Sequence, residues 1–327
     1  MKIVVDTYGA KISIETGVLQ IDTGKEHTEI SLLHVTSLHI QTSVRISSDA
    51  LTACIQSGIP VYFENDLQVE AMLWSPHYGS IANIRKKQAL FAFSKHKYLL
   101  IKRLLMRKNA MRIQFLQQTS IKEDIHAIAG EIVKINKLIE KAPFKDAYLR
   151  SLEGNSAKKY FEAFKLLLPP VWRFDKRTYQ NSHDLVNNLL NYGYGILYKD
   201  ITKALIVAGL DPDLGFFHAS QYNKPGLSFD LIEPYRVWVE AQVLQTIRDK
   251  RFKQIPEKLT KEGRLNKATK HLFIEKMTGF MTQKKILWQK RIKTPQTHIQ
   301  LDAHQVAKFF LNFSLNDLLK SIQIEKF

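Results

Sequence analysis

A histidine and two carboxylates lie close together in the stretch GFFHASQYNKPGLSFDLIEPYR, residues 215–236. His218 precedes a loop that contains glycine, proline and asparagine, and Asp230 and Glu233 follow that loop at a spacing of three. If a helix begins near Ser228, the two carboxylates share one face about one turn apart. Such a group suits a divalent metal that acts on phosphate oxygens. Alternatively, the histidine has a purely structural role, and the two acidic residues lie in the first turn of a helix because the helix dipole favours negative charge there.

The overall charge indicates a polyanionic partner. The 327 residues carry a formal net charge of +17, with a pI of about 9.7, which favours nucleic acid or an anionic membrane surface. A membrane is the weaker candidate, because no apolar run approaches the length of a spanning helix. The N-terminus becomes polar at Asp6, unlike a signal peptide. Cys54, the only cysteine, excludes an intrachain disulfide and a cysteine-based zinc cluster. These features predict a cytoplasmic protein.

Residues 1–75 are predicted to form a β domain, because short apolar groups alternate in part with polar residues between glycine-containing turns. The close spacing predicts antiparallel hairpins in a small sandwich-like domain, interrupted by one helix near 47–56. No catalytic group of residues occurs here, so we expect this domain to offer a dimerisation surface. A change in composition after the stretch SPHYGS predicts a linker at 76–80, and the length of the chain fits two domains.

Residues 81–327 show helical periodicity, which predicts a larger all-α domain and an α+β chain overall. The predicted helices cover 82–117, 122–141, 144–168, 185–209, 228–252, 267–290, 306–312 and 315–322. In the third of them, Gly154 directly follows Glu153. Because glycine costs about 1 kcal/mol relative to alanine inside a helix, we expect a kink or a close backbone approach at this point.

Several basic residues are candidates for contacts with DNA phosphates. The first long helix has a basic face with almost no acidic residues, which favours a DNA-facing surface over a merely solvated one. A loop at 171–182 adds further basic residues, and so does the end of the helix at 228–252, where positive charge also suits a helix C-terminus. The candidates are Arg85, Lys176, Arg177, Arg248 and Arg251.

The remaining motifs narrow the chemistry. The sequence contains no GxGxxG after a strand, no GxxxxGK[ST] and no HExxH, so nucleotide hydrolysis and dehydrogenase chemistry have no support. Carboxylate ligands suit Mg²⁺ or Mn²⁺, and one imidazole shifts the preference somewhat toward Mn²⁺. A metal of this kind on a basic protein predicts phosphodiester cleavage or transfer.

Four motifs together resemble a known family. LEGNSAKKYF around Glu153, LNYGYGILY ending at Tyr198, DPDLGFFH ending at His218 and LSFDLIEPYR around Glu233 stand in the order and approximate spacing of the CRISPR-associated spacer-acquisition integrases. The resemblance covers almost the whole chain. Four separated motifs in order are far more specific than any single one.

The resemblance implies a catalytic and metal-binding site of Glu153, His218 and Glu233. This chain departs from the family at the third ligand, where the family has an aspartate and this sequence has Glu233. Asp230 matches a nearby acidic position that assists or contacts the metal through water, so the division of labour between the two residues stays open. The resemblance also implies a DNA-positioning role for Tyr198.

A further implied residue is Arg236, which matches a basic position near the DNA backbone. The implied function is a metal-dependent DNA integrase and endonuclease of CRISPR adaptive immunity. It would insert new spacer DNA at a repeat by attack of a 3′-OH and would cleave branched DNA. The implied partners are short duplex DNA and repeat DNA, a second copy bound through the β domain, and a small ferredoxin-like second acquisition protein. The alternatives are a non-catalytic basic DNA-binding scaffold and a general metal-dependent nuclease.

Overall fold

The computed structural model describes residues 1–73, 81–172, 174–178, 184–218, 225–255, 257–260, 263–314 and 316–317. The chain divides into two compact units, Met1–Ile81 and Ala82–Phe327. The first is rich in strands and the second is rich in helices, so the predicted α+β order is confirmed. The predicted linker at 76–80 lies outside the described residues.

The first unit contains two four-stranded sheets, one α-helix and a short 3₁₀ turn (Leu32–His34) among its described residues. In chain order its elements are β1 (Lys2–Val5), β2 (Lys11–Glu15), β3 (Val18–Asp22), β4 (His27–Ser31), β5 (Ser37–Ile40), β6 (Arg45–Ile46), α1 (Ser48–Gln56), β7 (Val61–Glu64) and β8 (Val69–Leu73). One sheet has the order β1-β5-β7-β8 and the other has the order β4-β3-β2-β6. Leu19, Leu38, Val61 and Cys54 are fully buried in the core that both sheets share with α1.

The pairing in both sheets is mixed, which differs from the predicted antiparallel hairpins. The β2–β3, β3–β4 and β7–β8 pairs are antiparallel. The β1–β5, β5–β7 and β2–β6 pairs are parallel. A parallel pair needs a crossover connection, and α1 supplies one between β5 and β7. The sequence-based expectation paired neighbouring strands along the chain and therefore missed these crossovers.

The second unit is mainly helical. Its elements are α2 (Ile81–Phe93), α3 (Lys97–Thr119), α4 (Glu123–Lys141), α5 (Asp146–Leu167), α6 (Leu185–Val207), α7 (Gly226–Leu231), α8 (Arg236–Arg248), α9 (Lys250–Gln254), α10 (Lys267–Thr282), β9 (Ile286–Trp288), β10 (Arg291–Lys293) and α11 (Pro295–Asn312). The predicted helices at 122–141, 144–168 and 185–209 are confirmed within a few residues. The predicted helix at 315–322 lies, apart from 316–317, outside the described residues.

Two of the predicted long helices are interrupted. The one predicted at 82–117 divides into α2 and α3, because Ser94 Oγ donates to the Phe91 carbonyl at 2.9 Å and accepts from the His96 amide at 3.2 Å. The one predicted at 228–252 divides at a short 3₁₀ turn, Glu233–Tyr235. Pro234 has no backbone N–H to continue α7, so the chain tightens there before α8 begins.

The end of the helical unit also differs from the sequence-based expectation. The helix predicted at 267–290 ends at Thr282, and a hairpin of β9 and β10 follows, so the unit is not all-α. Gln289 and Lys290 both have positive φ, 50° and 63°, as a two-residue hairpin turn of type I′ requires. The helix predicted at 306–312 is the last part of α11, which begins where the Thr294 hydroxyl caps the first turn.

The core of the helical unit holds α6 against α8 and α11. Gly193 permits the close approach to α8, because a Cβ atom there would lie 2.4 Å from Val239 Cγ1 and 3.0 Å from the Phe273 ring. Since α8 continues directly from the Glu233 turn, this contact fixes the position of that turn. None of the helices in the described part of the chain is long and apolar enough to cross a membrane.

We predict that Gly193→Ala destabilises the protein by about 1–3 kcal/mol, because an added methyl group overpacks the contact between α6 and α8. Gly279→Ala in α10 is the matched control. A Cβ atom there meets only Gln283 Oε1, at an ordinary 3.9 Å, so this variant should be as stable as the wild type or more stable. Urea unfolding measures both, and an unchanged midpoint for Gly193→Ala would contradict the packing argument.

Candidate active site

Glu153, His218 and Glu233 come together in the helical unit. One ligand atom from each lies within 4.8 Å of the other two. Glu153 projects from α5, His218 follows the segment after α6, and Glu233 begins the 3₁₀ turn after α7. Three separate parts of the chain therefore meet at one point. The three residues are those that the resemblance implied as metal ligands.

Lys108 connects the two carboxylates. Its Nζ donates to Glu153 Oε1 at 2.8 Å and lies 2.5 Å from Glu233 Oε2. Lys108 belongs to α3, and its side chain is only 5% exposed, so it brings a buried positive charge to the centre of the acidic group. Burial of a lysine at this depth requires such partners.

Glu233 remains ionised although it is buried. Arg236, three residues later, donates from Nε to Glu233 Oε1 at 2.9 Å. Burial alone would raise the pKa of Glu233, but the charges of Arg236 and Lys108 outweigh it and hold that pKa far below its usual value. Glu233 Oε2 lies 2.5 Å from Lys108 Nζ. A metal ion bound to this oxygen would therefore replace the Lys108 ammonium group.

Asp230 is fully engaged in positioning His218. Its Oδ2 accepts from the Phe216 and Phe217 amides at 2.5 and 3.1 Å. Its Oδ1 lies 2.9 Å from the His218 amide nitrogen and 2.7 Å from His218 Nδ1. A carboxylate only accepts, so Nδ1 carries a proton, and in the neutral ring Nε2 keeps the lone pair that a metal needs.

The same neighbours change the pKa of His218. Burial lowers the pKa of His218, whereas the hydrogen bond to Asp230 and the charges of Asp230, Glu233 and Glu153 raise it. The net result is a raised pKa. His218 is thus an imidazole whose positive form is stabilised by three carboxylates, and a divalent cation bound to the same carboxylates would compete with its proton.

Tyr198 lies behind the acidic group. Its hydroxyl accepts from Arg236 Nη2 at 2.8 Å, and its ring packs edge-on against Phe229. Tyr198 is therefore linked to Glu233 through Arg236. It contributes no atom to the group that could hold a metal ion.

The acidic group opens into a pocket of about 270 Å³ with a strongly cationic lining. The lining residues are Lys108, Arg112, Arg150, Glu153, Gly154, Ala157, Phe161, Arg177, Tyr194, His218, Glu233 and Arg236. Five of them are lysine or arginine, against two glutamates. A pocket with an acidic end and an otherwise basic wall suits a metal ion beside a phosphate-bearing ligand.

Of the predicted DNA-binding residues, Arg177 and Arg236 line this pocket, and Arg85, Lys176, Arg248 and Arg251 do not. Arg85 and Lys176 are exposed. Arg248 donates to the Leu167 carbonyl at 3.3 Å, and Arg251 pairs with Glu275 at 3.0 Å. These four residues therefore have no place in the pocket.

Sequence reasoning missed the roles of Lys108, Arg112 and Arg150. Lys108 and Arg112 lie in the helix predicted at 82–117, whose basic residues were expected to face DNA, yet they are 4% and 3% exposed. A signal was present, because they continue the buried stripe of α3 that includes Leu104 and Leu105 at helical spacing. Charged residues at core positions indicate buried partners of opposite charge.

Comparison with known proteins identifies the family. Fold and site define a protein with a strand-rich and a helical unit, in which two carboxylates and a histidine meet at one end of a cationic pocket. The sequence model described as CRISPR associated protein Cas1 matches residues 3–278. The chain therefore belongs to the Cas1 family. One relative, the CRISPR-associated endonuclease Cas1 1 of Archaeoglobus fulgidus, is 29% identical over 266 residues, which cover 75% of this chain and 77% of the relative.

Solved structures share the fold. A CAS1 protein from Thermotoga maritima has a TM-score of 0.72 at 18% identity, with full coverage of both chains. A chain of a partial Cas6-RT-Cas1–Cas2 complex also scores 0.72, at 20% identity, over 100% of this chain and 99% of that one. A casposase bound to its integration product scores 0.66 at 20% identity, over 94% of this chain and 95% of the casposase chain.

We predict that Lys108→Met destabilises the protein in EDTA by about 3 kcal/mol, because it leaves two carboxylates close together without the shared ammonium group. A divalent cation would replace the lost charge, so Mn²⁺ should raise the melting temperature of this variant more than that of the wild type. Thermal unfolding with EDTA and with Mn²⁺ measures both effects.

The control is Lys159→Met, which removes a lysine from an exposed ion pair with Glu131. Its loss should be at most about 1 kcal/mol and should be independent of Mn²⁺. Equal losses for the two variants, or equal responses to Mn²⁺, would contradict the role of Lys108 as the internal countercharge.

Proposed function

We propose that this protein is a metal-dependent DNA endonuclease and integrase of CRISPR adaptive immunity, which joins short DNA to a repeat by transesterification. One observation carries the proposal. In a chain of the Cas1 family, two carboxylates and an imidazole converge within 4.8 Å at the acidic end of a cationic pocket. The curated relative is named an endonuclease, and a structure of similar fold is a casposase bound to an integration product. Both names agree with chemistry on DNA phosphodiesters.

The residues present fit a divalent cation. Ligand atoms at about 2.0–2.2 Å from one ion are at most about 4.4 Å apart. Those of Glu153, His218 and Glu233 lie within 4.8 Å of each other, so small side-chain shifts would bring all three to an ion. Two carboxylates with one imidazole suit Mg²⁺ or Mn²⁺. When bound, the ion would polarise the phosphodiester and stabilise negative charge on the attacking or leaving oxygen.

The surrounding residues would keep this group in order. Asp230 fixes the His218 ring through Nδ1, and Arg236 fixes one oxygen of Glu233, while the other oxygen pairs with Lys108, which a metal ion would replace. Lys108 balances the two carboxylates. In this arrangement Asp230 acts through His218 and does not bind the metal. Glu233 is then the third ligand.

In the proposed strand transfer, the 3′-oxygen of an incoming DNA end forms a bond to a repeat phosphorus, and it loses its proton. The bond from that phosphorus to the 3′-oxygen of the repeat strand breaks, and this leaving oxygen takes up a proton. The number of phosphodiesters is unchanged, so no external energy source is required. With water as the nucleophile, the same site would act as an endonuclease, and the reverse reaction would resolve branched DNA.

The partners follow from the same proposal. The net charge of +17 and the arginine-lined pocket suit DNA. A structure of similar fold belongs to a Cas6-RT-Cas1–Cas2 complex, and we propose a Cas2-type small protein as partner here. We further propose that the strand-rich region at 1–75 forms a homodimer and that the protein acts in the cytoplasm.

We predict that Glu153→Ala and His218→Ala each lower strand transfer by about 100-fold or more, because each removes a group that stabilises charge in the transition state. DNA affinity should stay near that of the wild type. The assay combines a labelled short duplex with 3′-OH ends, a supercoiled plasmid with a CRISPR repeat and the small partner protein. It is run with Mn²⁺, Mg²⁺ or EDTA. Filter binding measures DNA affinity separately.

Glu162→Ala is the matched control, since Glu162 lies on the same helix in an exposed ion pair with Lys159, and it should join DNA normally. Near-normal joining by Glu153→Ala or His218→Ala would remove that residue from the site. Hydrolysis without joined strands in any lane would indicate a general nuclease. Metal-independent DNA binding that never produces new strand ends would indicate a scaffold.

A further inference from the structure

Gly154 is a glycine in the interior of α5 that the fold itself does not require. Glycine is less favourable than alanine inside a helix. A glycine there is usually explained by a neighbouring group that leaves no room for a side chain, or by an unusual backbone angle. A Cβ atom built at Gly154 meets nothing within 4 Å, whereas one at Gly193 meets Val239 at 2.4 Å. Helix α5 runs without interruption through this position. The close backbone approach expected from the sequence therefore does not come from the described part of this chain.

The position of Gly154 shows what could approach it. Arg150, Glu153, Gly154, Ala157 and Phe161 all line the active-site pocket. Their spacing of three and four places them on one face of α5. Between Glu153 and Phe161, this face carries only the hydrogen of Gly154 and the methyl group of Ala157. The helix backbone is consequently bare over one turn directly beside the metal ligand.

Two arginines in the lining of this pocket bring positive charge to the bare face of α5. Arg177 lines it with a guanidinium group that donates to Asn187 at 2.9 Å and to Asn191 at 2.5 Å, which fixes its orientation. Arg236 is similarly fixed by Glu233 and Tyr198. A bare helix face that shares a pocket with immobilised guanidinium groups suits an anionic chain that lies along the helix.

Arg112 gives an independent indication of an anion. It is 3% exposed, and its Nη2 donates to Glu240 at 2.9 Å. Its Nε and Nη1 have no hydrogen-bond partner within the described residues, although the guanidinium lies 4.3 Å above the Tyr160 ring. Unsatisfied donors on a buried charge are unfavourable. Arg112, although paired with Glu240, therefore brings two incompletely satisfied N–H donors to the wall of the same pocket.

We propose that the bare face of α5 at Gly154 and Ala157 is the track for the sugar–phosphate backbone of a DNA strand. The track binds a phosphodiester next to the reacting one, with Arg112, Arg177 and Arg236 supplying the positive charge. Gly154 is glycine because the strand, rather than another part of the protein, fills the space that a side chain would take. This inference rests on the proposed function and names a second subsite of the same site.

The test compares Gly154→Ala with Gly130→Ala. Gly130 is a matched control, because it also lies in a helix interior, in α4, it is exposed, and a Cβ atom there meets nothing within 4 Å. It does not line the pocket. Both alanines should raise the melting temperature by similar amounts, since both remove an unfavourable helical glycine.

The two variants should differ in DNA binding. Gly154→Ala should weaken the affinity for a short single-stranded oligonucleotide, measured in EDTA, by about tenfold or more, the effect of one methyl-sized group in a pocket. Gly154→Leu should weaken it further, and Gly130→Ala should bind as the wild type does. Binding of Mn²⁺ without DNA, measured by calorimetry, should be the same in all of them.

Unchanged DNA affinity in Gly154→Ala and Gly154→Leu would overturn the proposal. A melting temperature that falls in Gly154→Ala but rises in Gly130→Ala would also overturn it, because the glycine would then serve the fold. Binding in EDTA requires no catalysis. Failure of the wild type to bind Mn²⁺ or to join DNA would count against the proposed function, while the comparison of affinities would still decide the backbone track.

Discussion

The candidate site depends on how two carboxylates are held at close range inside the helical unit. A buried carboxylate is unfavourable unless a positive charge and hydrogen bonds compensate for it. Lys108 compensates for both Glu153 and Glu233, and Arg236 adds a second contact to Glu233. Because Lys108 lies on α3, Glu153 on α5 and Glu233 in the 3₁₀ turn, this charge balance requires all three elements to meet. The packing of these three elements and the charge balance of the site therefore depend on each other.

Short-range backbone structure places His218 next to Glu153 and Glu233. Asp230 accepts two backbone amides from the Phe216–Phe217 segment and holds both the amide and the ring of His218. Pro234 ends α7 and forces the tight turn that starts with Glu233. The histidine and the third carboxylate are therefore placed by short-range structure. Glu153 and Lys108 reach them only through the packing of long helices.

This distinction explains what could be predicted from the sequence. The helices α4, α5 and α6 were predicted closely. Pro169-Pro170 follows the end of α5, Asp184 caps the start of α6, and Gly209 follows the end of α6, so these signals are local in the sequence. The grouping of His218 with Asp230 and Glu233 also came from one short stretch. Glu153 entered only through the family resemblance, since no local pattern connects positions 65 residues apart.

The features that could not be predicted are those decided by long-range contacts. Parallel pairing of β1 with β5 joins strands separated by three others along the chain. The burial of Lys108 and Arg112 depends on partners on α5, in the 3₁₀ turn and on α8. A charged helix face looks the same in sequence whether it meets water, DNA or a buried carboxylate. The hairpin of β9 and β10 was missed because its strands are only three residues long.

The two ends of the pocket differ in chemical character. The carboxylates and His218 form an end that suits a cation, whereas Arg112, Arg177 and the bare face of α5 form a part that suits a phosphate backbone. Arg236 belongs to both, because it fixes Glu233 and also lines the basic wall. In the proposed function, the site would bring a cation and the oxygen atoms on which it acts into one small volume.

The most direct test of this account is a crystal structure of the protein soaked in Mn²⁺, with anomalous diffraction measured at the manganese edge. We expect one strong anomalous peak bounded by Glu153, His218 and Glu233, with the Lys108 ammonium group moved away from the carboxylate oxygens that bind the ion. Absence of a peak there at saturating Mn²⁺, with Lys108 still bridging Glu153 and Glu233, would contradict it.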